Sequence, residues 1–99
     1  MNNKTDTANF PTIGSEFLSG NSLCPTTDKV LGICSYDIIP SSERKAHDTL
    51  GPQHGYDPTA CLYVLYRASN RKGLQASPVD TFMATRYATH DDMVEAYAA

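Results

Sequence analysis

His54, Asp57 and Cys61 fall within eight positions and carry the side chains that nucleophilic catalysis requires. In such a set a thiolate attacks, an imidazole takes the proton and a carboxylate orients the imidazole. Their placement works against that use. All three share one loop interrupted by Pro58, whereas catalytic partners normally come from separate elements that a scaffold brings together. Cys61 also opens an apolar run, where a thiol behaves as a small hydrophobe. Packing accounts for Cys61 better than a thiol- or metal-dependent enzyme centred on Cys61 and His54.

Metal ligation fares no better. His47, His54 and His90, with Cys24 or Asp48, supply donors, but His47 and His54 are not an i, i+4 pair. Cys24, Cys34 and Cys61 contain no CxxC spacing, so no zinc site is readable. The His47-Asp48 dipeptide lacks the further ligands of a phosphohydrolase. Gly51, Gly55 and Gly73 are isolated turn glycines, with none leading from a strand into a phosphate-cradling helix. The chain is therefore read as non-enzymatic, without a metal or cofactor.

A basic cluster carries more weight. Arg67, Arg71, Lys72 and Arg86 stand against one acid, Asp80, in the segment from Cys61 to Ala88. Tyr63, Tyr66 and Tyr87 lie on the same runs. Aromatic side chains beside cations on a sheet stack bases and neutralise phosphates, which makes single-stranded nucleic-acid binding the alternative function. Core-packing tyrosines beside a solvated turn give the same pattern, and no RNP-like or GXXG motif is present. Six of the nine aromatic residues are Tyr, a type enriched at protein interfaces.

The elements that would position these residues divide the chain in two. More than half of residues 1–28 are Asn, Thr, Ser, Gly or Pro, punctuated by Phe10, Ile13, Phe17, Leu18 and Leu23. This segment reads as a polar arm, flexible or partner-bound, whose Phe10, Ile13 and Phe17 plug into a partner or fold back over a sheet. Residues 29–99 read as a small α+β domain. Its expected elements are a strand over 29–39, with Gly32 marking a bulge or a close neighbour, and a short outer helix from Ser41 ended by Gly51-Pro52. A central strand over 60–68 follows, apolar on both alternating faces. A third strand over 80–88 and a final helix capped by Thr89, with Met93, Val94 and Tyr97 as its apolar stripe, complete it. The sum is a three-stranded, mainly antiparallel sheet with two short helices.

Ninety-nine residues and a net charge of −3 permit one domain and argue against a general phosphate-binding surface. A core this small makes a homo-oligomer compatible with the chain. The first apolar cluster is short and Pro-interrupted, so neither a signal peptide nor a membrane span is expected. The Asn3-Lys4-Thr5 sequon then has no use, and an intracellular, reducing compartment is the expectation. The leading functional expectation is an accessory or inhibitory protein that docks on a larger protein assembly through its sheet face or edge and its arm. Tyr63, Tyr66, Tyr87 and Arg86 serve as its anchors, with Arg71 and Lys72 steering the encounter. Phages and mobile elements encode many such chains, an association and not a derivation.

Overall fold

The run that is apolar on both alternating faces becomes the interior strand β3 (Leu62–Ala68). Val64 and Tyr66 pack with Val30, Val79 and Phe82 on one side of it, and Tyr63 packs with Ile39 and Ala76 on the other. β3 lies between β2 (Cys24–Ser35) and β4 (Gln75–Pro78), and β1 (Glu16–Asn21) completes one four-stranded sheet in the order β1-β2-β3-β4. Every neighbouring pair is antiparallel. Three helices accompany the sheet: α1 (Ser41–His54), α2 (Val79–Thr85) and α3 (His90–Ala98). The computed structural model describes residues 10–98. The Asn3-Lys4-Thr5 sequon and the first nine residues of the expected arm lie outside the described residues. Among the described residues, no helix is long and apolar enough to cross a membrane.

The α+β class holds, while the element count changes from three strands and two helices to four and three. Residues 16–28, assigned to the arm by composition, form β1 and the start of β2, joined by a two-residue turn at Ser22-Leu23. Asn21 Oδ1 accepts the Leu23 N–H at 2.8 Å and closes that turn. Residues 80–88, expected as a strand, are instead largely α2. Val79, Phe82 and Met83 recur at i, i+3 and i+4, and helical spacing buries Val79 and Phe82 against β3.

The segment before α2, which none of the expected elements covers, is the edge strand β4. Pro78, with no N–H to donate, is tolerated as its last residue. The bulge expected near Gly32 is present, as a register shift between Val30 and Gly32. α1 runs past Gly51-Pro52 to His54, and its left-handed cap is Gly55 (φ 80°), whose N–H returns to Gly51 O. Gly51 is buried because the chain turns back over it. A β-carbon there would stand 2.7 Å from Tyr56 O. Thr89 caps α3 as expected, its Oγ1 accepting the Asp92 N–H at 3.1 Å.

Candidate functional site

Both sheet edges are occupied from within the chain. At the β4 edge, Glu43 and His47 sit one turn apart on α1 and grip one residue of the strand. The Ala76 N–H donates to Glu43 Oε1 at 2.7 Å, and His47 Nε2–H donates to Ala76 O at 2.8 Å. His47 Nδ1 then accepts from the Tyr56 hydroxyl at 2.8 Å. Two side chains thus replace a fifth strand at that point. At the β1 edge, Leu18 exchanges both backbone hydrogen bonds with Tyr87. Gly20 O, next along the same edge, accepts from the Tyr97 hydroxyl.

Asp28 organises the interior on the α2 side. It is 1% exposed, and its Oδ2 accepts from Ser19 Oγ at 2.8 Å and from Arg86 Nε at 2.9 Å. Arg86 donates further to the Tyr66 hydroxyl and to Thr85 Oγ1, and its guanidinium stands 4.7 Å from the Phe82 ring centroid. Burial pushes the Tyr66 hydroxyl above its ordinary pKa although the nearby Arg86 charge pulls the other way.

Two hollows flank this cluster and share Tyr66, Arg71 and Arg86. The larger, about 470 Å³, is an open groove between α1, β4 and α2. Ala46, Leu50 and Pro78 give it an apolar wall, and Arg71 and Arg86 give it a cationic end. The smaller, about 260 Å³, is lined by Ser19, Thr26, Asp28 and Asn70. Arg71 is exposed, and among the described residues its guanidinium makes no ion pair or side-chain hydrogen bond.

The residues singled out from sequence scatter. Tyr63 is fully buried with its hydroxyl donating to Pro58 O at 2.7 Å, and burial pushes that hydroxyl well above the ordinary tyrosine range. Tyr66 is 8% exposed and points to the opposite face of β3. Neither offers an aromatic face on which a base could stack. Phe17 is core: its ring meets Phe82 edge-on at 5.4 Å. Tyr87 is half-buried against Tyr97. Of the nine residues expected to bind a partner, Phe10, Ile13, Arg71 and Lys72 are exposed, and Arg86 is spent largely on Asp28.

Cys61 does not resemble an activated nucleophile. Its thiol donates to Asp57 O at 3.3 Å, and burial, then the Asp57 and Asp80 charges, push its pKa up. Among the described residues, no group of three His, Cys, Asp or Glu side chains is placed to hold a metal. Asp28, Ser19 and Glu43 are absent from the sequence reading of the site, and His47 enters it only as a candidate metal donor. The i, i+4 spacing of Glu43 and His47 was a readable signal that they share a helix face. Asp28 and Arg86, 58 positions apart, gave none.

No family model matches the chain, and no curated protein or solved structure shows significant similarity to it.

Proposed function

We propose that this chain is a non-enzymatic binding protein that docks on a larger protein partner, with the groove between α1, β4 and α2 as its receptor surface. One observation carries the reading: an open groove of about 470 Å³ joins an apolar wall to a cationic end. Arg71 at that end has no internal counter-ion among the described residues. A segment that inserts an aliphatic or aromatic side chain beside Leu50 and presents a carboxylate to Arg71 uses both features. Lys72, exposed next to Arg71, adds to the attraction. Both sheet edges are already engaged at Ala76 and Leu18. Docking is therefore assigned to the groove and not to strand addition.

An array of immobilised peptides that place Asp or Glu beside Leu, Ile or Phe tests it. The full chain binds a subset of them, and binding weakens as salt is added because exposed charges are screened. Leu50→Asp and Arg71→Glu, both at exposed positions, each abolish binding without altering the circular dichroism. Equal binding by those variants, or no bound peptide, refutes the groove as the docking surface.

A further inference from the structure

The smaller hollow contains a charged group that the fold leaves half used. Asp28 is 1% exposed, and both of its donors, Ser19 Oγ and Arg86 Nε, bind the same oxygen, Oδ2. Oδ1 is buried with no hydrogen-bond partner among the described residues. An ionised carboxylate oxygen has capacity for two donors, and leaving it without a donor forfeits a charge-assisted bond. Asp28 lines a hollow of about 260 Å³ whose other walls include Thr26, Asn70 and Arg71.

Asp28 and Arg71 therefore line one small space, and each carries an unsatisfied group, the two of opposite sign. Oδ1 of Asp28 wants a donor, and the Arg71 fork wants a planar anion. Three of the five Arg86 N–H donors already go to Asp28, Tyr66 and Thr85, and its charge is paired with Asp28. We propose that this hollow binds a small carboxylate carrying an amino or hydroxyl group a few bonds away. Its donor meets Asp28 Oδ1 and its carboxylate meets Arg71. A phosphate with no donor is disfavoured, since it brings only negative charge toward Asp28. Oδ1 is shielded by its neighbours, so binding includes a side-chain adjustment at the wall. Arg71 lines that wall and is exposed, so its side chain can move.

The hollow shares Arg71 with the peptide groove but is tested with different probes. Four small molecules are titrated into the full chain: L-alanine and L-lactate carry both groups, propionate carries the acid alone, and ethylamine the donor alone. Amide chemical shifts at Ser19, Ala68 and Asn70 report on the hollow. Alanine or lactate, or both, shift these amides and bind roughly tenfold or more tightly than propionate and ethylamine, the worth of one charge-assisted bond. Alanine alone identifies an ammonium donor, and lactate alone a hydroxyl. Arg71→Gln, exposed and outside the core, weakens binding by at least about tenfold while the spectrum elsewhere is unchanged. No shift with any probe, propionate equal to alanine and lactate, or an unaffected Arg71→Gln protein each overturns the proposal.

Discussion

Arg86 is the side chain on which the interior of the α2 side depends, because it is the counter-ion of a carboxylate that water does not reach. Its side chain is 14% exposed against 1% for Asp28. In such a pair the attraction and the desolvation penalty largely cancel, so the pair itself adds little net stability. Breaking it is another matter. Arg86→Met keeps an apolar stem but leaves the Asp28 charge buried with only Ser19 as donor, at a cost of about 3–5 kcal/mol. Adding Asp28→Leu to that protein removes the stranded charge and restores a large part of the loss. Urea midpoints of the two proteins against the parent measure both effects. A single Arg86→Met change within about 0.5 kcal/mol of the parent shows that water or another donor already satisfies Asp28.

Among the elements, the contact of α1 with β4 is where polar side chains do the work of a strand. Glu43 and His47 take up the outward N–H and C=O of Ala76, the middle of a four-residue edge strand. Glu43→Ala leaves the Ala76 amide without its acceptor and opens the edge. The expected result is faster hydrogen exchange at Ala76 with little change at Val64 in the β3 core, whereas Glu43→Gln, which keeps an acceptor oxygen, restores most of the protection. Uniform acceleration across the sheet, or none at Ala76, contradicts a local clamp.

The same elements show what the chain makes readable. β3 was legible because a strand covered on both faces must be apolar on both. The Thr89 cap of α3 and the bulge at Gly32 followed from local chemistry. β1 was not legible, because one of its inward residues, Ser19, serves a buried carboxylate and so looks like a surface residue. α2 was mistaken because Thr81, Thr85 and Tyr87 suit a strand by propensity, while the Val79-Phe82-Met83 spacing suits a helix. Spacing prevailed, since it alone buries Phe82. The groove was legible only as its charges, Arg71 and Arg86, and not as a cavity.

At the scale of the molecule, the two ends of the chain hold each other in place. β1 and β2 meet the C-terminal elements through the Asp28–Arg86 pair, the Leu18–Tyr87 backbone exchange and the Phe17–Phe82 ring contact. His90 Nε2–H adds a bond to Ser22 O at 2.8 Å. A division at residue 28, natural by composition, cuts all of these. A fragment of residues 29–99 keeps Arg86 without its counter-ion, Phe82 without Phe17 and β2 without its outer neighbour. Stranding one charge of such a pair costs about 3–5 kcal/mol where that charge stays buried, against a total of about 5–15 kcal/mol for a domain; the exposed apolar surface adds to that. The fragment is therefore expected to lack a cooperative thermal transition and dispersed amide signals. A synthetic peptide of residues 10–28 returns both Asp28 and β1, and its addition in excess restores them by mass action. A fragment that unfolds cooperatively without the peptide would show that β3, β4 and the helices hold their arrangement unaided, and that the arm is an accessory to a finished domain.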